Sequence, residues 1–370
     1  MAKAAVIGWR DFVTSKNLLA FASNAIIAAP ASERTGHIAA DPEKTLEKTN
    51  AVGIDEAQLS QRLIAIENSA PIRRVNCGHS SDKHSLSSVR RYQRDVHSPA
   101  IARRPGIYEY RHFSFDSIRP HLFAHADGIE LDCRVDEQIN SLASVLFANA
   151  ADHALSLAYP PDELRPLLVL DNAMIQKWAA AYDSDGPAAA HTFIDTTGIA
   201  VPQGPPARPS FALLLRQRSD VSAFRECVSS FVQRWAAHAN VRRLRLTFID
   251  AAQDTKSNGD YAMRNMMAEQ KLWHHAWIDL VLDSEHVAMQ LLSKEDAKAI
   301  RPYVSALHVY PIAERYTYVY AGRPTLVGLR GYAAYQAIEE FHAANEGDPR
   351  ILRWMYGTVV QDGPIDPSST

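Results

Sequence analysis

Four short segments of this chain alternate with period two and carry ionisable or aromatic side chains on one face. In FALLLRQR, residues 211–218, Leu214, Arg216 and Arg218 share a face. In RRLRLTFID, residues 242–250, Arg243, Arg245 and Thr247 lie opposite Leu244, Leu246 and Phe248. In AWIDLVL, residues 276–282, Trp277, Asp279 and Val281 oppose Ile278, Leu280 and Leu282. In ERYTYVY, residues 314–320, Glu314, Tyr316, Tyr318 and Tyr320 fall together. Successive strand residues point to opposite faces, so each segment presents one greasy face and one chemical face. A wall of Arg, Asp, Trp and Tyr suits a planar, acidic or phenolic small molecule. Arg would steady the anion, and Tyr or His would move a proton. The expected substrate-binding residues are therefore Arg216, Arg245, Asp279 and Trp277, with Arg245 and Asp279 pairing across neighbouring strands. The expected proton-transfer residues are His308, Tyr318 and His191. The bland alternative is an intersheet layer of salt bridges and stacked rings, because a buried charge costs several kcal/mol unless paired.

Other chemistries find little support. There are 15 histidines but no HExxH and no tight His/Asp/Glu cluster, so no metal is expected. His274 and His275 are adjacent; in a strand they face opposite ways and cannot share one metal. GxSxG, P-loop and GxGxxG motifs are missing, so no nucleotide cofactor is expected. Gly328 to Gly331 reads as a turn before a terminal helix starting near Tyr332, with an anion site at that helix start as the alternative. Three scattered cysteines, Cys77, Cys133 and Cys227, argue against a disulfide framework and for a reducing compartment. Net charge is 39 − 42 = −3, which gives no global pull towards nucleic acid. No run reaches the roughly 18 apolar residues of a membrane helix.

The elements that would position these residues follow from pattern. With 46% hydrophobic and 22% charged residues, the chain has the composition of a globular protein over most of its 370 residues. Residues 1–104 read as an alanine-rich N-terminal helix followed by a basic, poorly ordered region, in which only IDEAQLSQRLIAIEN (54–68) has helical spacing. From 105 the expected series is strand (GIYEYRHFSF), strand (GIELDCRV), helix (DEQINSLASVLFANAA), strand (HALSLAY), helix (PPDELRPLLVLDNAMIQKWAAAYDS) and strand (AAHTFIDTTGIAV). A proline-rich linker follows. From 208 the order is β-α-β-β-α-β, the split βαβ or ferredoxin-like pattern. At an offset of 123, Leu155, Leu157 and Tyr159 fall on Ile278, Leu280 and Leu282, which suggests a tandem repeat. The expected organisation is 1–104, a first repeat over 105–202 and a second over 208–357 with C-terminal helices. The fold class is α+β, two ferredoxin-like repeats forming an internal α+β barrel.

This element order resembles the dimeric α+β-barrel superfamily, which includes EthD-type and antibiotic-biosynthesis monooxygenase-type domains. The resemblance covers roughly residues 105–321. It implies two sheets packed face to face and a cofactor-free lyase, cyclase or decarboxylase acting on an aromatic or polyketide-like acid. The expected partners are that small molecule and a second copy of the chain, with no membrane and no nucleic acid. The alternatives are a non-catalytic binding or assembly protein, and a haem enzyme of the same fold. The expected compartment is the cytoplasm; a mitochondrial targeting helix at the N-terminus is the other reading.

Overall fold

The structure is a computed structural model. It describes residues 56–80, 83–123, 126–159, 176–184, 190–197, 201–251, 272–347 and 349–356. The readings of residues 1–55, including the targeting helix, lie outside the described residues.

The first half contains α1 (Glu56–Asn68), β1 (Ile72–Ser80), α2 (Leu86–Tyr92), α3 (Ser98–Ala102), β2 (Glu109–Phe115), β3 (Ser141–Phe147), α4 (Ala150–Ala158) and β4 (Gln176–Ser184). An edge strand β5 (Ala190–Asp195) and the two-residue β6 (Gln203–Gly204) follow. The second half contains β7 (Ser210–Gln217), α5 (Val221–Ala236), β8 (Val241–Phe248), β9 (Asp250–Ala251), β10 (Ala276–Leu282), α6 (Glu285–Leu291), α7 (Lys294–Ile300) and β11 (Val304–Tyr320). After it come β12 (Arg323–Pro324), α8 (Leu326–Arg330), α9 (Tyr332–Glu340) and α10 (Pro349–Tyr356).

The strands of the first half lie in the order β4-β1-β3-β2, and those of the second in the order β11-β7-β10-β8, with β5 beyond β8. All these pairings are antiparallel. Strand β11 joins the halves. Its start, from Val304 to Pro311, pairs with β7, and its end, from Ile312 to Val319, pairs with β2. The result is one curled α+β sheet folded on itself.

Period two decides what each face meets. Leu213, Leu215, Leu244, Leu246, Phe248, Ile278, Leu280 and Leu282 are buried with Phe224, Val228, Phe231, Val232 and Trp235 of α5. That helix starts at Asp220, whose carboxylate accepts the Ala223 N–H at 3.0 Å. A capping box between Ser293 and Asp296 restarts the chain as α7 after α6. The opposite face of the same sheet packs on the first-half sheet, as the alternation requires.

Several expectations need correction. The segment DEQINSLASVLFANAA forms β3, not a helix, because SLASVLF is buried on both sides of a central strand and its apolar run has no legible period. The segment HALSLAY forms α4, not a strand; the Asn149 side chain accepts the Asp152 N–H at 2.9 Å and starts a helix just upstream. The offset of 123 therefore aligns a helix with β10 and does not hold. In the segment expected to be mostly helix, Gln176–Ser184 is a strand, and residues 160–175 lie outside the described residues. GIELDCRV is not a strand; Glu130 makes a single parallel bridge with Ala306. The basic region before residue 105 holds β1, α2 and α3. Its strand was illegible because two of its inward residues, Arg73 and His79, are polar and buried.

Gly328 in α8 sits against the backbone of β11: a Cβ there would lie 2.0 Å from the Tyr318 carbonyl oxygen. Backbone cannot swing aside, so Gly328→Ala is expected to cost roughly 1–3 kcal/mol, the usual range for overpacking. A urea-denaturation midpoint unchanged from the wild type would contradict this close approach.

Candidate functional site

The layer between the two sheets has three zones. One end is a closed network of charge. Five arginines (Arg73, Arg111, Arg243, Arg245, Arg315) and four carboxylates (Glu67, Glu109, Asp195, Asp279) are each at most 5% exposed. Arg243 lies at the centre. Its Nε donates to Asp279 at 2.7 Å, its Nη2 to Glu67 at 2.8 Å, and its Nη1 to Asp195. Arg315 also donates to Asp279. Arg111 Nη2 is 2.7 Å from Glu67 and 3.2 Å from Glu109. Thr192 Oγ1 donates to Glu67 at 2.6 Å. Glu67 arrives on the last turn of α1, which Asn68 pins to β5 by bonds to both backbone groups of Thr192, at 2.8 and 3.2 Å.

Burial opposes ionisation of Glu67, but Arg111, Arg243 and Arg245 outweigh it and hold its carboxyl well below the usual range. Asp279 behaves alike: burial raises it, and Arg315 and Arg243 bring it below its ordinary value.

The middle zone is apolar and aromatic. Val75, Cys77, Phe113, Phe115, Leu142, Leu214 and Ile249 pack around Trp277 and Tyr310. Trp277 meets Phe113 edge-on at 5.2 Å, and its buried indole N–H has no acceptor. Tyr310 accepts the Ile139 N–H at 3.4 Å and lies 4.0 Å from the Cys133 sulfur. Burial pushes the Cys77 thiol up to about 12 and the Cys133 thiol up to about 11, so neither is a thiolate nucleophile at neutral pH.

The other end is a buried pair of histidines. Glu130 is held in place by its backbone, which accepts the Leu307 N–H at 2.8 Å and donates to Ser305 at 2.9 Å. Its carboxylate, 47% exposed, lies 3.2 Å from His308 Nε2. His308 is 1% exposed, and its Nδ1 is 3.1 Å from His274 Nε2. A consistent assignment has His308 donating from Nε2 to Glu130 and accepting at Nδ1 from His274. Burial, then the Arg216 charge, lowers His308 to about 4 against the partial support of Glu130. Burial and the His308 ring lower His274 in the same direction. Arg216 closes the end: its Nη1 donates to Glu130 at 3.3 Å and its Nε to the Trp273 carbonyl at 3.3 Å. Adjacent His274 and His275 do face opposite ways. His274 meets His308 inside, while His275 packs edge-on to Phe224 at 6.3 Å.

The residues singled out from sequence thus separate. Arg216 and His308 meet through Glu130. Trp277 lies in the apolar middle, and Arg245 and Asp279 lie in the charge network. Those last two do sit opposite each other in the strand register but do not pair. Asp279 takes Arg243 and Arg315, and Arg245 Nη1 takes Glu109 at 3.2 Å. Tyr318 is on the far side of its sheet, its ring tilted against Tyr110 at 5.2 Å and its hydroxyl donating to the Arg94 carbonyl at 3.1 Å; burial holds its phenol well above its ordinary value. His191 is on the exposed side of edge strand β5, its ring edge-on to Phe193 at 4.7 Å. Sequence reasoning missed Glu130, Glu67, Glu109, Arg111 and Arg73. The alternation Glu109, Arg111, Phe113, Phe115 carried the same period-two signal as the arginine strands and was the available clue.

No protein-family profile matches the chain, and no curated protein matches it. Among solved structures, a candidate monooxygenase from Lactobacillus acidophilus NCFM is similar at 11% identity, with 66% of this chain and 94% of that one covered and a TM-score of 0.35. An anthrone oxidase-like protein is similar at 10% identity, over 67% and 93%, with a TM-score of 0.39. A candidate monooxygenase from Fusobacterium nucleatum subsp. nucleatum is similar at 6% identity, over 66% and 92%, with a TM-score of 0.37. Among the described residues no helix is long and apolar enough to cross a membrane, and no group of three or more His, Cys, Asp or Glu could hold a metal.

Proposed function

We propose that the chain is a small-molecule enzyme that moves a proton at the histidine end of the intersheet layer, with no cofactor. The proposed substrate is an aromatic or polyketide-like acid, and the proposed reaction a lyase, cyclase or decarboxylase step. One observation carries this reading: a neutral, buried His308 bonded to the half-exposed Glu130 on one side and to His274 on the other. That chain of hydrogen bonds links water to an interior lined with aromatic rings, as general acid–base chemistry needs. In this reading His308 is the catalytic residue, Arg216 steadies the substrate anion at the mouth, and the free Trp277 N–H meets a substrate oxygen. Tyr318 and His191 are too far out of the layer to join it. The strand order within each half supports two ferredoxin-like units packed sheet to sheet, the first beginning at β1. It also supports the α+β-barrel superfamily reading.

The test is turnover of a panel of aromatic and β-keto acids by the purified chain, followed by chromatography. The wild type is expected to consume at least one acid. His308→Gln is expected to lower its kcat/KM by about 100-fold to 10,000-fold, the span general acid–base groups supply. Glu130→Gln is expected to change the pH profile more than the maximal rate. Full activity in His308→Gln, or no consumption of any acid, would overturn the reading. The filled charge network favours a second reading, an assembly protein whose layer is structural throughout, and that reading predicts the inert outcome.

A further inference from the structure

The charge network does not balance. Among the described residues, five buried arginines face four buried carboxylates, leaving one positive charge in excess. The surplus has an address. Arg73, 2% exposed, makes one bond, from Nη2 to the Glu67 backbone carbonyl at 3.2 Å. Its Nε and Nη1 are buried without any acceptor. Arg245, 2% exposed, spends Nη1 on Glu109 at 3.2 Å, and its Nε and Nη2 are buried without any acceptor. Arg111 Nε is in the same condition. Arg73 stands on β1 and Arg245 on β8, so they reach in from opposite sheets. Both arrive at Glu67: Arg73 at its backbone and Arg245 within 3.7 Å of its carboxylate. Burial, and then the Arg245 charge, push the Arg73 guanidinium well below its ordinary pKa, against the partial support of Glu109 and Glu67.

An unpaired buried charge is strongly destabilising, and an unmet buried donor also costs. Water would satisfy the donors and leave the charge. A divalent anion would overshoot it. We propose that one small monovalent anion of the halide class is bound inside the protein between Arg73 and Arg245, held by the Nε and Nη1 groups of Arg73 and the Nε and Nη2 groups of Arg245. This site is separate from the histidine pair and does not depend on the reading of that end as catalytic.

The experiment compares thermal unfolding of the full chain in sodium chloride, sodium bromide and sodium gluconate at equal ionic strength, after exhaustive exchange. Gluconate carries the same charge but is too bulky for a closed interior. At tenfold excess over the dissociation constant, chloride or bromide should raise Tm by about 2 °C over gluconate. Arg73→Met removes the surplus charge at similar volume and should abolish the difference between salts. Crystals grown in bromide should show an anomalous peak between the two guanidinium groups, a readout that needs no variant. A Tm indifferent to the anion, or a full halide effect persisting in Arg73→Met, would overturn the proposal. So would a bromide map with no peak there, since the donors would then be met by water alone.

Discussion

Arg243→Leu is expected to destabilise the protein by about 3–5 kcal/mol, the range found when one partner of a buried ion pair is removed. The reason is geometric. Arg243 holds three carboxylates at once, Glu67, Asp195 and Asp279, and is 2% exposed. Leucine would leave those carboxylates in a buried layer with less positive charge beside them. Arg315 would keep Asp279 company, and Arg111 would keep Glu67, but Asp195 would lose its ion-pair partner. Arg243→Lys should also lose stability, because an ammonium cannot reach three acceptors in the directions a planar guanidinium does. In thermal unfolding a loss of this size lowers the Tm of a 370-residue chain by about 4–6 °C. A cost below about 1 kcal/mol in urea denaturation would show that the carboxylates find water or other partners, and the closed network would be wrong.

Acid should unfold the protein in two stages, starting well above the pH where carboxylates titrate. An unfolded histidine takes up its proton near pH 6.5. In the fold, burial, with His97 as a second cause, holds His112 at about 3; burial and Arg216 hold His308 at about 4, and His274 is also held low. Between about pH 6.5 and 4 the unfolded chain therefore binds more protons than the native one, so stability falls as pH falls. Each such histidine costs about 1.4 kcal/mol per pH unit, which gives a loss of roughly 3–6 kcal/mol by pH 5. Below about pH 4.5 the depressed carboxyls of Glu67 and Asp279 add to the loss. Their stabilisation is present above the unfolded carboxyl pKa and disappears as pH drops through the folded one. Urea midpoints measured from pH 8 to pH 4 should begin to fall near 6.5, and His308→Gln should reduce the slope by about one proton. Stability flat from pH 7 to pH 5 would mean that these histidines are hydrated or already charged in the fold.

Much of the second half was legible because its strands have one face on helices. Leu244, Leu246 and Phe248 against Arg243 and Arg245 give a clean alternation, and the α5 stripe repeats every three or four residues. The same alternation located the charged face of β8 and β10. It could not assign partners, since Arg243 reaches Glu67, which is 176 residues away in sequence. The first half was obscure for the opposite reason. Strand β3 is buried on both faces, so its side chains show no period, while β1 buries arginine and histidine, which reads as solvated coil. Glu130 was invisible because a single bridge to Ala306, rather than a strand, sets its place beside His308.

The most direct test of the account is a series of nitrogen-15 NMR spectra of the histidine rings, recorded from pH 7 to pH 4, and at pH 7 with and without added aromatic acids. The account predicts a neutral His308 ring that stays unprotonated down to about pH 4 and whose resonances, with those of His274, move when an acid binds. A His308 that titrates near its ordinary value, or one that no aromatic acid perturbs, would contradict a reactive site at this end of the layer.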